Sequence, residues 1–124
     1  MLMCKMLLSI NPEYADKILS GEKKFEFRKV RCRPDINKIV IYVTSPVMQV
    51  VGEADVLDII DDEPEIVWAK TSKHAGISRE FYDSYYEGKN RAIAYKLGHI
   101  NKYEIAFSLS DFGIRSAPQS FVYL

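Results

Sequence analysis

The stretch GEKKFEFR (residues 21–28) marks the point where a helical pattern gives way to a strand pattern. Glycine readily takes the left-handed conformation that ends a helix, so Gly21 predicts a sharp turn. Residues 24–29 then alternate strictly, which places the two phenylalanines on one face and the charged side chains on the other. This alternation predicts a half-buried strand.

The residues around this stretch predict further strands and helices. Residues 1–10 lack a basic leader and a small-residue cleavage site and are predicted to form a first strand, which the alternation at residues 6–10 supports. Asn11-Pro12 supplies an N-cap and a proline at the first helical position, so a short helix is expected up to Gly21. Residues 39–43 are apolar on both faces and rich in β-branched side chains, which is typical of a central strand.

The second half of the chain completes an α+β pattern. The alternation of residues 50–60 slips at Leu57 and Asp58, which indicates a bulge of the kind that bends closed sheets. Helices are predicted over residues 62–75 and 78–88, and strands over residues 91–97, 103–109 and 120–124. We therefore expect one α+β domain, residues 1–124, with about seven strands in a curled or barrel-like sheet.

The overall charge is balanced, but its distribution is not. The chain has 124 residues with 17 basic and 17 acidic side chains. Residues 1–40 carry nine basic and five acidic residues, residues 41–65 none and seven, and residues 66–124 eight and five, so the net charges are +4, −7 and +3. Bulk coating of a polyanion is excluded, and binding to nucleic acid requires a local basic patch.

Several classes of protein are disfavoured by the sequence. The longest uninterrupted apolar run, residues 39–43, is far shorter than the roughly 20 residues of a spanning helix, so no membrane association is expected. Cys4 and Cys32 form no C-x-x-C pair and predict reduced thiols in a cytoplasmic protein. His74 and His99 have no companions at metal-ligand spacing, so no metal site is expected. No P-loop or dinucleotide fingerprint is present, and no cofactor is expected.

The charged face of residues 21–28 is the best candidate for a functional site. Glu26 and Arg28 lie two residues apart on one strand face, and Lys23 at the turn can reach the same carboxylate. A carboxylate between two cations stays ionised and orients both, which suits recognition of a phosphate or a base edge. The alternative is an exposed strand face with ordinary ion pairs, which contribute little to stability.

The motif also carries a resemblance to a known family. The pattern G-x-K-x-x-E-x-R is matched by Gly21, Lys23, Glu26 and Arg28. The chain thereby resembles the ASCH domain (activating signal cointegrator homology), a relative of the PUA domain. Segments at residues 8–14, 42–46 and 118–121 follow the order of that family, so the resemblance covers nearly the whole chain. It is closest to small stand-alone prokaryotic ASCH proteins, often described as predicted transcriptional regulators.

The resemblance implies a PUA-like mixed β-barrel of about six to seven strands with two to three flanking helices. It also implies a cleft that binds RNA or a modified nucleoside and a role in RNA-linked or transcriptional regulation. The residues expected to line the cleft or contact RNA are Gly21, Lys23, Lys24, Glu26, Arg28, Lys29 and Ser45.

The resemblance leaves a hydrolase as an alternative, with Lys23 and Glu26 as catalytic residues. One ASCH group removes the acetyl group from N4-acetylcytidine, using a lysine and a threonine of this segment and a glutamate after the second helix. Lys23 matches the lysine, but Glu26 replaces the threonine, and the residues after Ala75 offer no carboxylate until Glu80. In an amidase or ribonuclease of another kind, Glu26 would act as general base while the neighbouring cations stabilise negative charge.

Recognition suits this charge arrangement better than catalysis, since a carboxylate flanked by cations is a weak base but still accepts a hydrogen bond from cytosine N4. Aromatic rings beside lysine and arginine often stack on RNA bases, and Tyr14 and Tyr42 lie nearest the motif. The aromatic stripe of residues 81–86 is typical of helix packing instead. A protein-interaction module in transcription control is a third alternative, which requires an exposed apolar patch.

Overall fold

The computed structural model describes residues 4–124, so the predicted beginning of the first strand at Met1 lies outside the described residues. The strands are β1 (Cys4–Ile10), β2 (Phe25–Arg28), β3 (Ile36–Val43), β4 (Gln49–Asp62), β5 (Ala92–Phe107) and β6 (Phe121–Tyr123). The helices are α1 (Pro12–Ser20), α2 (Pro64–Thr71) and α3 (Arg79–Tyr85), with short 3-10 helices at Ser72–His74 and Leu109–Phe112. No described helix is long and apolar enough to cross a membrane.

The six strands form one mixed sheet in the order β2-β5-β4-β3-β1-β6. β1 and β3 run parallel, and the other neighbouring pairs are antiparallel. The sheet curls into a half-barrel, so that Arg28 at the end of edge strand β2 reaches Ser120, which precedes the other edge strand β6. The predicted α+β fold with flanking helices and a barrel-like sheet is confirmed.

The prediction of separate strands at residues 91–97 and 103–109 is wrong, because both belong to the continuous strand β5. Residues 98–102 resemble a turn in sequence, yet this part of the chain stays paired with β4, with one extra residue on β5. Asp55 pairs with Gly98 and Glu53 with Asn101, so β5 advances three residues while β4 advances two. His99 takes a positive φ of 48° within this bulge. Residues 4–124 therefore form six strands instead of about seven.

The bulge predicted at Leu57 is confirmed. Val56 pairs with Leu97 and Asp58 with Lys96, so Leu57 is the extra residue on β4. This second irregularity lies opposite β5 and increases the local bending of the sheet.

The helices follow their predicted caps more closely than their predicted lengths. The side chain of Asn11 accepts a hydrogen bond from the Tyr14 backbone N–H at 3.0 Å, and Gly21 closes α1 with φ 86°. The helix predicted over residues 62–75 is shorter, because α2 ends at Thr71 and passes into the 3-10 helix before Gly76 turns the chain with φ 69°. This turn brings residues 74–76 back toward the beginning of β2.

The core is divided by the curled sheet. One cluster joins α1 to one face of the sheet, with Met6, Leu8, Ile18, Ile39 and Ile41 among its buried members. A second cluster joins α2 and α3 to β2 and β5, and a third lies under the C-terminal segment. Phe25 and Phe27 of β2 belong to the second cluster, and the charged residues of the predicted motif lie on the same strand and the turn before it.

Candidate functional site

A cavity of about 180 Å³ lies between the beginning of α1, strand β2 and the segment that leads into α3. Its lining combines three charged side chains of β2 and the preceding turn with several aromatic rings. The lining residues are Ser9, Ile10, Asn11, Tyr14, Lys23, Glu26, Phe27, Arg28, Ile77, Phe81 and Tyr85.

Lys23 is the most deeply buried charged residue of this lining, with 2% of its surface exposed. Its Nζ donates a hydrogen bond to the Ala75 carbonyl at 2.7 Å. The amine also lies 4.8 Å from the ring centre of Phe27 and 5.4 Å from that of Tyr14. Burial lowers the pKa of Lys23 to about 8, although the nearby Glu26 carboxylate opposes the shift. A substantial neutral fraction therefore exists near pH 8.

Glu26 and Arg28 form an ion pair in the wall of the cavity. The side chains are only 9% and 13% exposed. Arg28 Nη2 and Nε donate to the same carboxylate oxygen, Oε2, at 2.7 and 3.1 Å. No donor among residues 4–124 bonds to the other oxygen, Oε1. The pair thus presents a charged hydrogen-bond acceptor to the cavity while its partner cation stays fixed.

Arg28 also ties the two edges of the half-barrel together. Its Nη2 donates to the Ser9 carbonyl at 3.0 Å, and its Nη1 donates to Ser120 Oγ at 3.1 Å. Ser9 in turn donates its hydroxyl hydrogen bond to the Pro118 carbonyl at 2.7 Å. Ser9 lies on β1, and Pro118 and Ser120 precede β6. Arg28 therefore connects β2, at one edge of the sheet, to β1 and to the residues before β6.

Aromatic rings form the remaining wall of the cavity. Phe81 meets Tyr14 edge-on at 5.6 Å and lies nearly parallel to Tyr85 at 6.3 Å between ring centres. Burial raises the pKa of the Tyr85 hydroxyl, with Arg28 acting against the shift. Phe81 is still 45% exposed, so this wall presents apolar surface to an incoming group.

The structure brings only part of the predicted residue set together. Lys23, Glu26 and Arg28 share the cavity lining. Lys29 lies at its margin, with Nζ 4.5 Å from the ring centre of Tyr85. Ser45 occupies an exposed turn and is not in the lining.

Two other predicted residues face elsewhere. Gly21 and Lys24 line a second depression with Lys96 and Gly98, and Lys23 borders both this depression and the cavity. Gly21 and Lys24 are therefore not part of the lining that contains Glu26 and Arg28. The prediction of Tyr42 as a residue that stacks on a base is wrong, since its side chain is 1% exposed within the core cluster under the C-terminal segment.

The aromatic stripe of α3 serves two purposes, of which only packing was predicted. Tyr82 and Tyr86 are buried against α2 and the sheet. Phe81 and Tyr85 lie on the neighbouring face of the helix and line the cavity. Helical periodicity separates the two pairs, but the sequence does not show which face meets the sheet.

Replacement of Lys23 by methionine is expected to abolish a rise in stability between about pH 8 and pH 10. The pKa of Lys23 in the folded protein is about 8, below its ordinary 10.5, so the unfolded chain binds more protons in this interval and stability increases with pH. The rise is of order 2 kcal/mol. Above about pH 10 the stability of the folded protein declines. Burial raises the pKa of tyrosines such as Tyr82 from 10.0 to about 12, so the folded protein then binds more protons than the unfolded chain.

Denaturant unfolding across this pH range measures the effect. Wild type and Lys23→Met are compared at each pH, which removes the contribution of the tyrosines common to both proteins. Parallel stability curves for the two proteins would contradict the assignment of the pH dependence to Lys23.

Metal ligation has no support in the described region. Among residues 4–124, no group of three or more histidine, cysteine, aspartate or glutamate side chains is arranged to hold a metal ion.

Comparison with known proteins identifies the family. The family model of the ASCH domain matches residues 8–104, and the chain belongs to this family. The large ribosomal subunit protein uL22 of Ureaplasma parvum is 33% identical over 120 residues, covering 96% of this chain and 39% of that protein. The ASCH domain-containing ribonuclease of Zymomonas mobilis is 35% identical over 92 residues, covering 73% of this chain and 62% of that protein. The chain thus spans less than two thirds of the length of either relative.

A solved structure agrees with the fold over nearly the entire chain. The crystal structure of ASCH from Zymomonas mobilis superposes with a TM-score of 0.88 at 30% sequence identity, covering 97% of this chain and 87% of that one. The six-stranded curled sheet with three flanking helices is therefore the ASCH arrangement.

Proposed function

We propose that the cavity binds one base of a single-stranded RNA or of a modified nucleoside. The observation that carries this proposal is the convergence of the Glu26–Arg28 pair and Lys23 with the rings of Tyr14 and Phe81 around one small space. Stacking on aromatic side chains combined with hydrogen bonds to a base edge is how single-stranded RNA is commonly recognised.

The size and polarity of the cavity favour a single ring system. Its volume of about 180 Å³ is below the roughly 300–1,000 Å³ of sites that take drug-sized ligands. Glu26 Oε1 can accept a hydrogen bond from an exocyclic amine, as carboxylates do from cytosine N4. Lys23 has donors beyond the one used by the Ala75 carbonyl, and these can reach a base oxygen or ring nitrogen.

The position of Lys29 at the margin of the cavity supports an RNA strand as the ligand. Lys29 lies over Tyr85 and belongs to the basic N-terminal third of the chain. A base that stacks inside would bring its phosphate toward this side chain, whose charge then contributes a salt-dependent term to binding. A regulatory role in transcription stays a prediction from the family resemblance.

An RNA hydrolase is the second candidate, favoured by the chemistry of Lys23. A buried amine with a pKa of about 8 can exchange a proton near physiological pH, which suits general acid–base catalysis. Glu26 uses one oxygen to hold Arg28, so its remaining oxygen is the one available to a reacting group. The relative from Zymomonas mobilis is named a ribonuclease, which supports this candidate by similarity.

Binding of a fluorescently labelled single-stranded RNA tests the proposal. We expect Lys23→Met and Glu26→Gln to weaken binding at least tenfold, or about 1.4 kcal/mol, because the first removes a donor and the second replaces the charged carboxylate acceptor with a neutral amide. Lys29→Ala should weaken binding less and reduce the slope of log affinity against log salt by about one. Lys102→Ala, an exposed lysine on β5 outside the cavity lining, is the matched control and should behave as wild type.

Two further experiments test whether the ligand is a free nucleoside and whether the protein cleaves RNA. A thermal-shift screen of ordinary and modified nucleosides finds a free-nucleoside ligand, since a ligand at 100 times its Kd stabilises by about 2.7 kcal/mol. Incubation of the same RNA with wild type and Glu26→Gln, followed by electrophoresis, tests cleavage. Equal binding by wild type and all cavity variants would contradict the proposed site, and intact RNA in every sample would contradict the hydrolase.

A further inference from the structure

The turn at residues 74–76 lies directly against the side chain of Lys23. Gly76 has φ 69°, and a Cβ placed on it would stand 2.5, 2.6 and 2.9 Å from Cβ, Cγ and Cδ of Lys23. Carbon atoms do not approach this closely, so no residue with a side chain fits here while Lys23 keeps its position. Gly76 is needed for its conformation and also for the space that the lysine stem occupies.

Three lysines bind three successive carbonyl groups of this turn. The backbone N–H of Lys24 donates to the His74 carbonyl at 2.9 Å. Lys23 Nζ donates to the Ala75 carbonyl at 2.7 Å, and Lys17 Nζ donates to the Gly76 carbonyl at 3.2 Å. The turn is thereby fixed to α1 and to the start of β2, and Gly76 lies against the lysine stem.

We infer that Gly76 is a positioning residue for Lys23: its missing side chain lets the turn close over the lysine stem and hold the amine in the cavity wall. The importance of this position for ligand binding rests on the proposed function, whereas the contact itself does not. A bulkier residue would force either Lys23 or the turn outward, and the amine would lose its carbonyl partner and its burial.

Charged and titratable side chains face Lys23 from helix α1 and from strand β2. Helix α1 contributes Lys17 and Tyr14, and β2 contributes Glu26 and Arg28. The turn contributes carbonyl groups only in the immediate contact. Substitution of Gly76 by alanine changes none of these charges, so a change in the titration of Lys23 would report a change in its position or burial.

NMR detection of the Lys23 side chain in ligand-free Gly76→Ala protein tests the inference. We expect the Lys23 pKa to move from about 8 toward 10.5, the ordinary lysine value. Gly113→Ala is the matched control, because Gly113 has φ 73° but no atom within 4 Å of an added Cβ. It imposes the same backbone strain without the contact and should leave Lys23 unchanged. An unaltered Lys23 titration in Gly76→Ala would overturn the inference.

A second measurement covers the case in which Gly76→Ala folds poorly. Lys23→Gly removes all three side-chain atoms that the new methyl group would meet. The loss of thermal stability caused by Gly76→Ala should therefore be smaller in the Lys23→Gly background than in wild type. Equal losses in the two backgrounds, including complete unfolding in both, would overturn the inference.

Binding of labelled single-stranded RNA then separates this inference from the proposed function. If wild type binds the RNA, Gly76→Ala should lose at least tenfold in affinity and Gly113→Ala should not. If wild type does not bind it while the Lys23 titration moves as expected, the proposed function fails and the positioning role of Gly76 stands.

Discussion

Arg28→Met is expected to lower the free energy of unfolding by about 3 kcal/mol or more, because it leaves the Glu26 carboxylate buried without its partner. Arg28 supplies both hydrogen bonds to Glu26 Oε2, and the carboxylate side chain is only 9% exposed. The same substitution removes the bonds from Arg28 to the Ser9 carbonyl and Ser120 Oγ, so the two edges of the half-barrel lose a direct connection. Chemical denaturation measures this change.

Two further variants separate burial of a charge from loss of an ordinary ion pair. Glu26→Leu combined with Arg28→Met removes both charges, and we expect it to recover most of the lost stability, since buried ion pairs can be replaced by apolar side chains at little cost. Arg91→Met removes an exposed partner of Asp61, with Arg91 53% exposed, and should cost less than about 1 kcal/mol. A double variant no more stable than Arg28→Met would contradict this account.

Tyr82→Ala is expected to cost about 3–5 kcal/mol, the usual range for removing a large aromatic side chain from a core. Tyr82 is 1% exposed and donates its hydroxyl hydrogen bond to the Pro64 carbonyl at 2.7 Å. Its ring contacts those of Phe27, Trp68 and Tyr86, with centre distances of 5.3, 4.7 and 4.8 Å. The residue therefore joins α2 and α3 to β2, and its loss should loosen the whole second core cluster.

Phe81→Ala is the matched control on the same helix. Phe81 is 45% exposed and lines the cavity, so its removal should cost about 1 kcal/mol of stability. It should instead weaken RNA binding, because a base would lose a stacking surface worth about 1–3 kcal/mol. Thermal unfolding and RNA binding are measured for both variants. A stability loss at Phe81 as large as that at Tyr82 would contradict the division of the α3 stripe into a packing face and a cavity face.

Local patterns predicted the elements and much of the fold class. The alternation at residues 24–29 predicted β2, and the caps at Asn11 and Gly21 predicted the limits of α1. The slip at Leu57 predicted the bulge in β4. These features could be predicted from the sequence because capping, alternation and phase depend on residues within a few positions of one another.

Features that depend on residues distant in the sequence were not predicted by local patterns. Residues 98–102 resemble a turn, and only pairing with β4 keeps them in strand β5. Gly76 resembles an ordinary helix stop, whereas its lack of a side chain also makes room for Lys23, which lies 53 positions earlier in the chain. Tyr42 was placed near the motif by sequence order, but its strand directs it into another core cluster.

The sequence alone determined that Lys23, Glu26 and Arg28 would be near one another, since they belong to one turn and one strand face of residues 23–28. Only the tertiary structure decided that this face is enclosed. The curl of the sheet brings Ser9 and Ser120 to Arg28, and the packing of α3 brings Phe81 to the cavity. The physical reason is that alternation assigns side chains to faces, whereas sheet curvature and helix packing determine what each face meets.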